Sequence, residues 1–364
     1  MNFRFKLEES RIFDFLYFPR MLYYMEISEN MREDKANDQI ASEEYLEFVR
    51  KAEEKLKPFS DEIATFYMKQ YSYDYDFISL ISTRYKISGY EREEEYLNMI
   101  SSLSEDDIKR AIVYSIFIEN EDYMEDVDKK VEEICANRDM MLSFIKELPI
   151  DSGSKWTLFL IGDNPREYAK RYVNLMTSLL PIFNELYGFY QDEVRSYGKQ
   201  LEEYLNKNGK KGIKDITYSI IDPNILDGGE IDLLISLVFS YAISILGERK
   251  LKVIVWGLRM EEAFKKMKEI SDRELTERVQ IFKNLGDKTR YGVLKLIAQG
   301  ETSIKNIASE LGVSSATISY HINNFLTSKM VKLDKKDNKF NYIIDYDKIE
   351  EVIRGLKEDL NFPE

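Results

Sequence analysis

Apolar residues recur at intervals of three and four along most of the first 208 residues, a spacing that predicts one helix after another. Glu43 to Leu56 and Glu91 to Leu103 are polar-rich stretches of this kind. Ser104-Glu105-Asp106-Asp107 reads as a helix start, with a serine cap, acids in the first turn, and Ile108, Ala111 and Ile112 following on one face. Asn164-Pro165 reads as another, with proline at the first helical position. The pattern behind it continues to about Asn206, with a bend expected near Pro181, and Asn208-Gly209-Lys210-Lys211-Gly212 breaks it.

Beyond that point the pattern changes. Ile216 to Ile221, Ile235 to Phe239 and Leu251 to Trp256 are short, apolar and rich in β-branched residues. Asp222-Pro223-Asn224, Asp227-Gly228-Gly229 and Gly247 lie between them as turn residues, so a small sheet is expected. A helix from about Met260 to Glu269 follows, and Ser271-Asp272 marks a boundary. The expected organisation is a helical region over 1–208, a small sheet plus helix over 209–270 completing the same N-terminal domain, and a separate domain over 271–364.

The last domain carries the most specific pattern. Two helices that meet at a tight corner need a small residue at the contact, glycine in the turn and apolar anchors on both sides. Ile307, Ala308, Leu311, Gly312, Val313 and Ile318 supply these in order. Gly312 can adopt the left-handed conformation at the end of the first helix, and Ser314 is placed to cap the second. Upstream, Leu285-Gly286-Asp287-Lys288-Thr289-Arg290 precedes a helix bearing Val293, Leu294, Leu296 and Ile297. Downstream, Val331 to Leu333 and Phe340 to Ile344 read as two strands joined by Lys335-Lys336-Asp337-Asn338, which together make a wing. A final helix spans Asp347 to Leu360. The fold class is therefore mostly α with minor β (α+β): a large helical N-terminal region with a small sheet, then a C-terminal winged helix-turn-helix.

FKNLGDKTRYGVLKLIAQG followed by IKNIASELGVSSATISYHINNFLTSKMV resembles the ArsR (arsenical-resistance repressor) family of winged-helix proteins, over about Asp272 to Leu360. The resemblance implies a homodimer joined through the first and last helices of this domain, and repression of transcription by binding an operator in double-stranded DNA. It places base and phosphate contacts on Ser314, Ser315, Thr317, Ser319, Tyr320 and His321. Metal-sensing members carry two cysteines where this chain has Ser303 and Lys305, and the last helix here has no histidine, so no metal is expected. The first 270 residues lie outside the family's usual short chain and resemble at most the long N-terminal extensions of some regulators of this type.

The B-DNA major groove admits one helix, and Ser314 to Leu326 fits that role. The segment has no arginine, so readout rests on hydroxyls, methyl contacts, water and DNA shape. Lys335, Lys336 and Lys339 of the wing would reach phosphates or a minor groove. His321 has two readings: a DNA contact, or the core position that many such units fill with an apolar residue.

Charge agrees with this division. The chain has a formal net charge of −14, yet residues 271–364 hold 15 basic and 15 acidic residues, so the excess acid lies entirely in the first 270. Val313 to Tyr342 holds five lysines against two aspartates, a local +3, so a polyanion is expected only at this end. One histidine and one cysteine, Cys135, rule out a disulfide framework and a multi-histidine metal site within one chain. Cys135 reads as a buried core thiol. Leu233 to Leu246, the longest mostly apolar run, is 14 residues with three serines and too short to cross a bilayer, and the first ten residues do not resemble a secretory signal. A cytoplasmic protein without membrane contact is expected.

The aromatic content is high, with 25 Tyr and 20 Phe, including Phe13, Phe15, Tyr17, Phe18, Tyr23, Tyr24, Tyr67, Tyr71, Tyr73, Tyr75 and Phe77. These pack a core, or line a pocket for a small organic effector or a face for a partner protein at the N-terminal domain. No cofactor and no catalysis are expected. Two rival functions remain: an assembly module whose winged helix binds protein, and an enzyme fused to a DNA-binding tail, although no carboxylate pair has diagnostic spacing.

Overall fold

The computed structural model describes residues 1–24, 41–68, 76–120, 127–226, 229–246, 252–271, 274–336, 339–360 and 362. A first strand, β1 (Asn2–Phe5), leads into α1 (Leu7–Tyr17), and α2 (Glu43–Leu56), α3 (Phe77–Ser82), α4 (Glu93–Ser102), α5 (Glu105–Asn120), α6 (Val127–Cys135), α7 (Arg138–Glu147), α8 (Ser152–Asp163), α9 (Pro165–Gly188) and α10 (Gln191–Ile216) follow. Then come β2 (Glu230–Ser236), β3 (Ile243–Leu246), β4 (Lys252–Gly257) and α11 (Met260–Ser271). The last part comprises α12 (Glu274–Gly286), α13 (Lys288–Ala298), α14 (Ile304–Leu311), α15 (Ser315–Thr327), β5 (Val331–Lys336), β6 (Lys339–Ile344) and α16 (Tyr346–Asp359). The fold is mostly α with minor β, as the hydrophobic periodicity predicts. No helix among the described residues is long and apolar enough to cross a membrane.

The helix starts follow their local chemistry. At the head of α5, the Ser104 hydroxyl accepts from the Asp107 backbone N–H (3.1 Å) and donates to the Asp107 carboxylate (2.6 Å). Pro165 opens α9 as expected. The long pattern behind it is two helices: Pro181 lies inside α9, and the chain breaks after Gly188. Gly209 does leave helical geometry (φ 54°, ψ −137°), but α10 resumes and runs to Ile216.

The sheet is built from residues far apart in sequence. Its order is β1-β2-β4-β3, with β1–β2 and β2–β4 parallel and β3–β4 antiparallel. Phe3 pairs with Ile231, so all the helices from α1 to α10 form the crossover between two neighbouring parallel strands. Every residue of β2 after Glu230 is buried, as a central parallel strand requires. Two of these strands, β1 and β3, have only four residues each and escape the sequence reading. Ile216 to Ile221 is not a strand: α10 ends there, and Tyr218 and Ser219 turn back with positive φ of 50° and 62°. Of the expected strand Ile235 to Phe239 only the first two residues are strand: β2 begins five residues earlier, at Glu230, and ends at Ser236, where the next two backbone N–H groups donate to the Asp14 carboxylate.

Helix α10 covers the outer edge of β1. Asn206 Oδ1 accepts from Phe3 N–H (2.8 Å), Asn206 Nδ2 donates to Phe3 C=O (2.9 Å), and Glu202 Oε1 accepts from Phe5 N–H (3.1 Å). One turn earlier, a Cβ on Gly198 would lie 2.3 Å from the Phe5 ring. Residues 198, 202 and 206 share one helix face, so the side chains of that face stand in for a missing neighbouring strand and blunt an edge that could otherwise pair with another chain. Asn206→Ala should therefore cost about 1–3 kcal/mol of unfolding free energy, since both Phe3 groups lose their partner. Equilibrium urea unfolding checks this, and a loss under about 0.5 kcal/mol would mean that water replaces the amide without penalty.

One set of buried apolar side chains runs from Phe3 to Phe264 and unites the helices with the sheet; a second runs from Ile281 to Val352. Phe13, Phe15, Phe18, Tyr67 and Phe77 are buried; ring contacts such as Phe15–Phe183 (5.3 Å) and Phe77–Tyr172 (5.1 Å) link the last four to α9, while Phe13 packs with Leu234 and Val255 of the sheet. These aromatics are core. Tyr71, Tyr73 and Tyr75 lie outside the described residues. Cys135 is half-buried at the end of α6, and burial pushes its thiol up to about 11.

Candidate nucleic-acid interface

Three capped helices frame the candidate surface. Asp287 caps α13 by accepting from Arg290 N–H (2.7 Å), and Ser303 caps α14 by accepting from Asn306 N–H (3.4 Å). Helix α14 ends at Gly312, which is left-handed (φ 69°, ψ 31°), and Val313 N–H returns to Ala308 C=O (3.1 Å). Ser314 then starts α15, its hydroxyl accepting from Thr317 N–H (3.0 Å) and lying 2.8 Å from the Thr317 hydroxyl. Ile307, Ala308, Ile318, Ile322 and Phe325 are buried between the two helices. This is the expected corner, formed for the expected reasons.

After α15, Lys329 takes a positive φ (56°) and Met330 N–H donates to Phe325 C=O (2.9 Å), which turns the chain into β5. β5 and β6 pair antiparallel from Val331↔Ile344 to Lys336↔Lys339, extending the expected strands. Lys335, Lys336 and Lys339 thus stand on the strands at the hairpin end; Asp337 and Asn338 between them lie outside the described residues.

The candidate contact residues fall into distinct places. Ser315, Thr317, Ser319 and Tyr320 are partly exposed, within the first two turns of α15. Ser314 is exposed, but its hydroxyl is engaged in the cap. His321 is 8% exposed and sits on the inner face, where its Nδ1 accepts from Arg290 Nε (3.4 Å). Of its two readings the interior one agrees with this placement, and the outward set is corrected by removing it. The physical reason is helical phase, since His321 follows Ile318 by three residues and shares its buried side.

Sequence reasoning missed Arg290 and Asn284. Arg290 is 5% exposed and donates through Nη1 to Asn284 Oδ1 (3.0 Å), and Asn284 Nδ2 donates to Ser328 Oγ (3.4 Å). The signal was present: Arg290 precedes Val293, Leu294 and Ile297 by three, four and seven residues and so lies on their inward face. Lys305, in the first turn of α14, is partly buried, and that burial lowers its ammonium to about 8. Among the described residues no group of three His, Cys, Asp or Glu side chains is placed to hold a metal.

Residues 285–333 match the helix-turn-helix domain family. Over 81 residues, 22% of this chain, the sequence is 38% identical to an uncharacterized HTH-type transcriptional regulator of Methanocaldococcus jannaschii, 90% of which is covered. No solved structure matches the chain.

Proposed function

The chain belongs to the family of helix-turn-helix transcriptional regulators, and on that premise we propose that it binds double-stranded DNA at an operator and represses transcription as a homodimer of ArsR type. The observation that carries the reading is the corner itself: a left-handed Gly312, a serine-capped α15, and a partly exposed first face of Ser315, Thr317, Ser319 and Tyr320 with no acid in its first turn. Such a helix fits a major groove, with the Lys335, Lys336 and Lys339 end of the hairpin beside the phosphates.

Dimerisation through α12 and α16 is supported by their surface. Val279 is 58% exposed and Ile353 44%, while Val352 is buried within the domain. The two helices lie against each other, for a Cβ on Gly355 would come 2.7 Å from Arg278 Nη1. Two apolar side chains left outside a finished contact are what a second copy would cover. Residues 1–208 and 209–270, which share one sheet and one core, form the domain that senses a small organic effector or docks a partner protein, with 271–364 as the DNA-binding domain. No catalysis is assigned to either.

Selection of bound fragments from random duplex DNA tests the reading, and failure to enrich any sequence would favour the alternative in which the winged helix binds protein. The enriched duplex then separates positioning from readout. Lys335→Ala should weaken binding to the selected and a scrambled duplex alike and reduce the log–log salt slope by about 0.9. Thr317→Ala should cost about 1–3 kcal/mol on the selected duplex and little on the scrambled one, with the slope retained. Isotherms at several salt concentrations decide between these, and equal losses on both duplexes for Thr317→Ala would remove α15 from the readout.

A further inference from the structure

Arg290, His321, Asn284 and Ser328 form a polar string inside the second core, each at most 8% exposed. Both ends of the string hold α15. Arg290 reaches the middle of the helix at His321 Nδ1 (3.4 Å), and Asn284, itself held by Arg290 Nη1 (3.0 Å), reaches Ser328 at its C-terminal cap (3.4 Å), whose hydroxyl donates to Asn324 C=O (2.8 Å). Apolar contacts alone would seat α15; these directional bonds also set its rotation and its position along its axis.

The string has a protonation requirement. A guanidinium only donates, so the Nδ1 that faces it must carry a lone pair, and His321 must be neutral with its proton on Nε2. A second proton would turn that acceptor into a donor and place two cations side by side where neither is more than 8% exposed. Arg290 of α13 meets His321 directly and is itself held by the neutral Asn284 of α12 and, through its backbone N–H, by the Asp287 carboxylate (2.7 Å), while the Tyr320 ring of α15 lies 5.7 Å from the imidazole. Tyr320 is the adjacent residue and is partly exposed, so a shift at His321 bears on the recognition face.

Resting on the DNA-binding reading above, we propose that Arg290 is a positioning residue for sequence recognition, acting through neutral His321, so that selective binding is lost when this histidine takes a proton. His321 is the chain's one histidine, which makes the titration legible.

The test uses the full chain, the duplex enriched at pH 7.5, and a scrambled duplex, at fixed ionic strength from pH 8 to 5.5. The ratio of selected to scrambled affinity should fall between pH 7.5 and 5.5, by up to about tenfold, because an imidazole freed from its seat takes a proton in that range and the seated one opposes it. His321→Asn, whose Oδ1 can replace Nδ1 as acceptor, should keep the ratio at pH 7.5 within about threefold of the parent and flatten the profile. Arg290→Met should lower the ratio at pH 7.5 and shrink the acid step, since the opposing charge is gone. Thermal unfolding of each variant accompanies the isotherms, and His321→Asn alone decides the matter if Arg290→Met does not fold. A flat profile for the parent chain, or an unchanged step in His321→Asn, overturns the proposal. If no duplex is enriched at all, the DNA-binding reading fails first, at a separate step, and this inference falls with it.

Discussion

Ser315→Glu should abolish selective duplex binding, with a loss of more than about 100-fold, while leaving the fold as stable as before or slightly more so. The two effects come from the same charge. Ser315 opens α15 directly after the Ser314 cap, and the first turn holds no acid. A carboxylate there meets the positive end of the helix and contributes about 0.3–1 kcal/mol of stability. Against DNA it meets a polyanion, and a like charge at the centre of an interface costs several kcal/mol. The side chain is partly exposed and has room to ionise. Thermal unfolding and binding to the enriched duplex, measured on one preparation, give both numbers. An unchanged affinity would move the interface away from α15, and a joint loss of stability and binding would mean that Ser315 matters through folding.

Asp14→Ala should cost about 3 kcal/mol of unfolding free energy and change how stability depends on pH. Asp14 is fully buried on α1 and accepts from the Ser236 hydroxyl, from Leu237 N–H (2.7 Å) and from Val238 N–H (3.3 Å). Those donors end β2 and turn the chain across the end of the sheet, beside Gly257, where a Cβ would lie 2.2 Å from Ser240 C=O. Without the carboxylate, three buried donors lose their acceptor. Burial raises the Asp14 carboxyl from 3.8 to about 7, against the hydrogen bonds that lower it. Between about pH 4 and pH 7 the folded chain therefore holds a proton that the unfolded chain has released. This group's contribution to stability is fully present below about pH 4, falls as pH rises through that window, and is level above about 7. Urea unfolding across pH 4 to 8, compared with Asp14→Asn, checks the sign; the parent chain should lose stability relative to the Asn variant as pH rises. The opposite slope would mean that the three hydrogen bonds outweigh burial.

Local chemistry was sufficient for much of this protein. The corner between α14 and α15 needs only a glycine able to turn left-handed, a hydroxyl to cap, and apolar residues in helical phase. Gly312, Ser314, Ala308 and Ile318 state all of this within eleven residues. The same holds for the Ser104 and Pro165 helix starts, and for a hairpin whose strands pair in simple antiparallel register.

What the residues alone left open depended on partners distant in the chain. Four-residue β1 is a strand because Phe3 meets Ile231 on one side and Asn206 on the other, both more than 200 residues away. Strand β2 ends where it does because of Asp14, over 220 residues earlier. Ile216 to Ile221 has the composition of a strand, but α10 ends there and the next residues turn back. His321 is legible as a position three residues after Ile318 on the buried side of a helix, but nothing local says that an arginine 31 residues upstream would meet its Nδ1 there. Propensity, capping and turn chemistry act over a few residues and can be read in order. Strand pairing, burial of charge and the rotation of a helix in its seat are set by whatever the folded chain brings alongside.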